Sequence, residues 1–119
     1  MTGDGFADLV FGGGPGGAPR VFVLSGALVS AGKVGGAQAA PVANFFVANN
    51  STDRGGIRVA AVDADGDTKT DLAVGSGEGS PAKVRVYLGK NFTSAAEPTT
   101  FQDLTVFGGA TLVGGVFVG

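Results

Sequence analysis

The sequence predicts an all-β chain made of two copies of one four-stranded unit. Three observations lead to this prediction: an internal repeat, short apolar segments bounded by turn residues, and very little helical patterning. The 119 residues include 23 glycines, which cluster between the apolar segments and show no period of three. Glycines placed in this way are typical of turns and of close backbone approaches.

The internal repeat covers most of the chain. Residues 3–26 align without a gap on residues 66–89, at a shift of 63 positions. The identical positions of the first copy are Gly3, Asp4, Asp8, Leu9, Gly12, Gly14, Gly16, Val21, Val23 and Gly26. Further along, residues 44–47 and 55–57 align on 103–106 and 114–116 at a shift of 59, so the first copy carries four additional residues within Ala27–Ala43. A repeat of about 60 residues outweighs local propensity in deciding the fold.

Seven short segments are predicted as strands because they are β-branched or aromatic and are bounded by Gly, Pro, Asn or Asp. In chain order they are residues 21–24, 45–47, 57–62, 72–74, 84–88, 104–107 and 116–118. Arg58 and Arg85 alternate with apolar neighbours, which is the period-two pattern of a half-exposed strand. The stretch Ala27–Ala43 has room for one helical turn, but it is predicted as a long loop because Gly32, Gly35 and Gly36 disfavour a helix.

An acidic run between two predicted strands is the strongest candidate site. It carries carboxylates at its first, third, fifth and ninth positions, which are Asp63, Asp65, Asp67 and Asp71. Calcium takes six to eight oxygen ligands, and odd-numbered loop positions can converge on one point. The backbone carbonyl of Lys69, at position seven, would add an oxygen. Because four unpaired aspartates would repel each other, the sequence predicts a calcium site. The alternative is an Asp/Gly turn held by side-chain hydrogen bonds to the backbone, and both can hold together.

The N-terminal copy of this run is less complete. It keeps Asp4 and Asp8, and Phe6 stands where its carbonyl would replace that of Lys69. The first ligand position is missing and Thr2 occupies the third, so Asp4, Phe6 and Asp8 are predicted to form a weaker second site. In the full run, Thr68 stands where the first copy has Gly5. If that position is left-handed, threonine there costs about 1 kcal/mol or more.

Composition excludes several classes of function. The chain has no cysteine and no histidine, which removes the usual zinc, copper and iron ligands and the commonest general base. The net charge of −2 gives no basic field for nucleic acid, and no apolar run is long enough for membrane insertion. A glycine-rich G-x-G-x-x-G match at residues 12–17 precedes a strand and not a helix, so a dinucleotide site is not expected. We predict a non-enzymatic protein. The chain shows no signal peptide, and a secreted parent protein would carry its signal elsewhere.

Four strands repeated in tandem suggest the blades of a β-propeller. Residues 1–54 would supply three strands of a first blade, 55–113 a complete second blade, and 114–119 the first strand of the following blade. Two blades cannot close a ring, since propellers have about four to eight. Copies of the chain are therefore predicted to form a homo-oligomer by strand exchange, as a trimer in preference to a tetramer. The rival is a monomer with exposed sheet edges that would tend to aggregate.

With these features in view, the chain resembles the FG-GAP/VCBS repeat family, the integrin-α-like β-propeller blades of bacterial surface and secreted proteins and of some fungal lectins. The resemblance rests on residues 56–67, 70–77 and 84–87. It is found in both copies of the repeat, which together cover nearly the whole chain. It implies calcium on Asp63, Asp65, Asp67, the Lys69 carbonyl and Asp71, and an extracellular or cell-surface location for the parent protein.

The function predicted from this resemblance is a calcium-stabilised scaffold or adhesion module whose partners are copies of itself and either glycans or cell-surface proteins. The alternative is a carbohydrate-binding lectin. The composition weakens that alternative, because sugar rings usually stack on Trp or Tyr, and this chain has no Trp and only Tyr87.

Overall fold

The computed structural model describes residues 1–119 as two antiparallel sheets with few helices, which confirms the all-β prediction. The first sheet has three strands in the order β1-β2-β3: β1 (Leu9–Gly12), β2 (Arg20–Leu24) and β3 (Ala43–Phe46). The second has four in the order β4-β5-β6-β7: β4 (Ile57–Val62), β5 (Asp71–Ser76), β6 (Lys83–Tyr87) and β7 (Gln102–Thr105). None of the helices has the length and apolar character needed to cross a membrane.

The two sheets pair their strands in the same register. Every pair that joins β1 to β2 recurs 63 positions later between β5 and β6. The terminal pairs are Leu9–Leu24 and Gly12–Val21 in the first sheet, and Leu72–Tyr87 and Gly75–Val84 in the second. The pairs between β2 and β3 likewise recur between β6 and β7, at a shift of 63 on one strand and 59 on the other. The alignment of the sequence with itself is therefore also an alignment of backbone hydrogen-bonding positions.

One hydrophobic core joins the sheets. Its eight buried residues come from both: Val21, Val23, Ala43, Phe45, Ile57, Leu72, Val74 and Tyr87. The ring of Phe45 meets that of Tyr87 edge-on at a centroid distance of 5.2 Å, an arrangement that aromatic pairs prefer. Because the core side chains alternate along each strand, a register slip of one residue would expose them, and this fixes the pairing.

The prediction of a loop over Ala27–Ala43 is wrong. This stretch contains most of helix α1 (Gly26–Ser30) and all of helix α2 (Val34–Ala39). The Ser25 hydroxyl caps α1 by accepting the Leu28 N–H at 3.4 Å, and Gly32 ends this turn with a left-handed φ of 74°. Inside α2, Ala37 is fully buried. In α2, which has no side-chain cap, this packing has outweighed the low helix propensity of Gly35 and Gly36.

Some strand ends also differ from the prediction. Residues 116–118 form no strand, although the Val116 N–H donates to the Ser76 carbonyl at 2.8 Å. A strand needs a neighbour along its edge, and this segment has none within the chain. Strands β3 and β7 end one or two residues before the predicted ends, since one-turn 3₁₀ helices follow at Val47–Asn49 and Phe107–Gly109. Both turns contain a left-handed non-glycine residue, Ala48 with φ 57° and Phe107 with φ 51°.

Candidate metal centre

The acidic turn connects β4 to β5 and brings three of its four aspartates together. Asp63 follows the last residue of β4 and Asp71 is the first residue of β5, so the hairpin fixes both ends of the turn. Ligand oxygens of Asp63, Asp65 and Asp71 lie within 4.8 Å of one another. Asp71 is buried at 1% exposure, whereas Asp63 and Asp65 are exposed. The site is thus open on one side and closed on the other.

Backbone N–H groups already bind these carboxylates. Asp63 accepts hydrogen bonds from the N–H groups of Gly66 (2.8 Å) and Thr68 (3.1 Å), which curl the turn around its carboxylate. Asp65 accepts from the Asp67 N–H at 3.1 Å. These are the side-chain to backbone hydrogen bonds expected of an Asp/Gly turn, the alternative to a calcium site. Each carboxylate oxygen has a second lone pair, so these bonds leave room for a cation.

Asp71 ties the turn to the rest of the sheet. Its Oδ2 accepts the Ala64 N–H at 2.9 Å and its Oδ1 accepts the Gly89 N–H at 2.8 Å. In the first sheet the corresponding aspartate, Asp8, accepts the Gly26 N–H at 3.1 Å. The same hydrogen bond recurs at a shift of 63 positions. In both copies this aspartate therefore anchors the segment that follows β2 or β6. Its structural role is independent of any metal.

Asp67 is not part of the three-carboxylate cluster, and the Lys69 carbonyl stays a predicted ligand. Asp67 accepts the Lys69 N–H at 2.8 Å, which closes a local turn. The Lys90 ammonium lies 2.7 Å from Asp65 Oδ2 and 3.9 Å from Asp67 Oδ2. The hydrogen bond from Lys90 lowers the pKa of Asp65, and Asp65 in turn raises the pKa of Lys90. A cation of the chain itself therefore offsets part of the negative charge.

The donor set fits a hard cation. Each of the three carboxylates brings one oxygen to within 4.8 Å of the other two, and oxygen is the ligand that calcium prefers. Water would have to complete the coordination shell, and a metal that used both oxygens of Asp65 would displace Lys90. Either the Lys90 ammonium or a bound cation would offset the negative charge of Asp65.

The N-terminal copy contains no cluster of three acidic groups. Asp8 is engaged by the Thr2 N–H at 2.9 Å and the Thr2 hydroxyl at 3.0 Å, besides the bond from Gly26. Asp4 accepts the Phe6 N–H at 3.0 Å. The residues predicted as a weaker site (Asp4, Phe6 and Asp8) are held by local hydrogen bonds, and only two of them carry charge.

Thr68 adopts the left-handed conformation considered in the sequence analysis, with φ 67°, where the equivalent Gly5 has φ 85°. Because an L-residue pays about 1 kcal/mol there, Thr68→Gly is expected to raise the free energy of unfolding by up to about 1 kcal/mol, a few degrees in Tm. Thr70→Gly is the control, because Thr70 has no positive φ. This substitution relieves no backbone strain and only raises the entropy of the unfolded chain, so it should lower the stability. Equal destabilisation by both substitutions in thermal melts would contradict the expectation.

A second polar cluster was missed by sequence reasoning. One oxygen of Glu97 accepts hydrogen bonds from the Ala48 N–H (3.0 Å), the Arg85 guanidinium (2.8 Å) and the Tyr87 hydroxyl (2.6 Å). Arg85 also forms a two-bond contact with Asp103, at 2.6 and 2.8 Å. The facing of Arg85 and Asp103 on β6 and β7 could have been found from the repeat alignment. The Glu97 contact could not, because it depends on how a loop folds back across the sheet.

Comparison of the chain with protein-family models, with curated proteins and with solved structures finds no match.

Proposed function

We propose that the two sheets are consecutive blades of a β-propeller and that the chain is a non-catalytic, calcium-binding scaffold or adhesion module that acts outside the cell or on its surface. The observation that carries this proposal is the shared register of the two sheets, combined with an acidic turn directly before the corresponding strand of each, β1 and β5. A unit that recurs with the same hydrogen bonds is the basis of radially repeated folds.

The junction between the sheets supports radial repetition. The Ile57 N–H, at the start of β4, donates at 2.7 Å to the carbonyl of Gly13, the residue that follows β1. At the corresponding position of the second sheet, Val116 donates to Ser76 at 2.8 Å. One contact therefore leads from the first sheet to the second and again from the second sheet onward. Three copies of the chain would give six blades and four would give eight; we favour the trimer.

Calcium would be held by Asp63, Asp65 and Asp71, with Asp67 and the Lys69 carbonyl brought in if the turn tightens around the ion. When bound, the ion neutralises the clustered carboxylates and so stabilises the hairpin between β4 and β5. It would be bound by the folded chain and not by the unfolded chain, which raises the stability by mass action.

Calcium is expected to raise the melting temperature, because saturation at one hundred times the Kd adds about 2.7 kcal/mol to the free energy of unfolding. The gain should disappear in Asp65→Ala and persist in Asp4→Ala, which changes the less complete turn. Thermal melts with millimolar calcium and with chelator make the comparison. Equal melting of the unsubstituted chain in both conditions would contradict calcium binding.

A lectin is the second candidate function, favoured by one cleft. A cavity of about 440 Å³ lies between the two acidic turns, lined among others by Phe6, Thr68, Lys69 and Thr70. Phe6 is 54% exposed and offers a ring face, while the threonines and the lysine offer groups that can hydrogen-bond sugar hydroxyls. A glycan array that shows binding lost in Phe6→Ala would favour this function, and a blank array at high protein concentration would remove it.

A further inference from the structure

We propose that residues 116–119 of one copy of the chain pair with the free edge of β1 in a second copy, in the register that β4 makes with β5. The inference rests on the proposed propeller assembly and identifies the two surfaces that would join one chain to the next.

The outer edge of β1 is unpaired. Strand β1 bonds only to β2, whereas its counterpart β5 lies between β4 and β6. Leu9 and Phe11 on this edge strand are large apolar residues with 41% and 48% exposure. An exposed apolar edge of this kind is a template for another strand, and in the second sheet β4 covers the corresponding edge.

The C-terminal segment already enters the fold as β4 does. Gly56 and Gly115, which precede Ile57 and Val116, have left-handed φ values of 67° and 73°. Each following N–H then makes the junction bond described above. A Cβ added to Gly115 would crowd the backbone of Gly77. A Cβ added to Gly56 would likewise crowd the backbone of Gly14, which is the counterpart of Gly77 at a shift of 63 positions. The segment thus repeats the start of β4, yet Phe117 is 74% exposed.

The junction contact and the edge pairing are compatible. In the second sheet, Ser76 accepts the hydrogen bond from Val116 while it is also paired with Ile57 of β4. Gly13 is the counterpart of Ser76 and accepts the same junction bond from Ile57. Unlike Ser76, however, Gly13 has no strand opposite it on the outer edge of β1.

Transfer of the β4–β5 register gives the contacts between copies. In the second sheet the pairs are Ile57–Ser76, Arg58–Gly75, Val59–Val74 and Ala60–Ala73. The corresponding pairs between copies are Val116–Gly13, Phe117–Gly12, Val118–Phe11 and Gly119–Val10. The largest side chain of the C-terminal segment, Phe117, then faces a glycine, as Arg58 faces Gly75. Such matching of bulk with space supports this register over a shifted one.

Disulfide trapping tests the pairing without background, because the chain has no cysteine. One variant carries Phe11→Cys and another carries Val118→Cys, and the two are mixed and oxidised. A disulfide between the two variants can only be intermolecular. Directly opposed residues of antiparallel strands have Cβ atoms close enough for a disulfide. The control partner for Val118→Cys is Phe6→Cys, whose residue is similarly exposed but lies outside β1.

The 11–118 heterodimer is expected to form about tenfold faster than the 6–118 heterodimer, because pairing raises the effective concentration of the two thiols. Equal rates would overturn the pairing. A light-scattering mass of three or four chains without the 11–118 disulfide would overturn this register and leave the proposed ring intact. A monomer mass at high concentration would overturn both the pairing and self-assembly, while calcium binding is judged separately by the melting comparison.

Discussion

Replacing Glu97 by alanine is expected to lower the free energy of unfolding by about 3 kcal/mol. The Glu97 side chain is only 6% exposed, and a single oxygen accepts three hydrogen bonds. Its loss leaves the buried Tyr87 hydroxyl without an acceptor, returns the exposed Ala48 N–H to solvent and removes one of the two carboxylates that pair with Arg85. Since Ala48 follows the first sheet and Arg85 lies in the second, the substitution also loosens the contact between the two.

Urea unfolding of Glu97→Ala measures this loss, and Glu78→Ala is the matched control. Glu78 is half exposed and its nearest cation, Arg58, lies 3.9 Å away, so we expect a change below about 0.5 kcal/mol. If the two substitutions cost the same, the Glu97 cluster would not bind the sheets together.

The same cluster predicts how stability depends on pH. Burial alone would raise the pKa of Glu97, but the hydrogen bonds from Tyr87, Ala48 and Arg85 together outweigh it and lower this pKa. A carboxyl whose pKa is lower in the folded state contributes stability above its unfolded pKa and loses it as the pH falls through the folded pKa. The chain should therefore lose stability below about pH 4.5, and Glu97→Gln should flatten this part of the profile. An unchanged acid limb in Glu97→Gln would assign the loss to other carboxylates.

Gly89→Ala is expected to cost about 3 kcal/mol, the second large effect. A Cβ at Gly89 would overlap the carbonyl oxygen of Thr70, and backbone cannot move aside as a flexible side chain can. The displaced segment would also weaken the hydrogen bond from the Gly89 N–H to Asp71. Since Asp71 belongs to the candidate metal centre, the calcium affinity that we propose should fall along with stability.

Gly35→Ala is the matched control for this substitution. No atom lies within 4 Å of the Cβ position at Gly35, which is inside helix α2. Alanine is favoured over glycine in a helix by about 0.5–1 kcal/mol, so the control should stabilise the chain. Opposite signs in thermal melts are expected, and a tolerated Gly89→Ala would show that the close contact with Thr70 yields easily.

Much of the strand pattern was accessible from the sequence because the repeat aligns chemically distinct segments. Phe22 and Arg85 share few properties, yet they occupy the same position in their sheets. The helices were not accessible, since α1 and α2 are too short to give a periodic pattern and depend on the cap at Ser25 and on the burial of Ala37. The absence of a strand at residues 116–118 depends on a partner, which no local pattern specifies.

For the candidate centre, the spacing of aspartates indicated that carboxylates would gather but not which ones. Asp63, Asp65 and Asp71 do gather, whereas Asp67 turns to the Lys69 N–H. The position of Lys90 beside Asp65 could not be foreseen, because it lies 25 residues further on and is brought there by β6 and the turn after it. Side-chain charges were predictable from the sequence, and their partners required the fold.

The contact between Gly26 and the backbone of Ala7, which recurs between Gly89 and Thr70, has a consequence for how this chain can vary. It fixes the path of the chain up to that glycine, and the paired strands fix it again from β3 or β7 onward. Between these points the first copy has two helices and the second has a 3₁₀ turn followed by a loop, although the flanking strands coincide. This interval therefore accommodates segments of different length and structure between the same flanking strands. A recognition loop could be grafted there without redesign of the sheets.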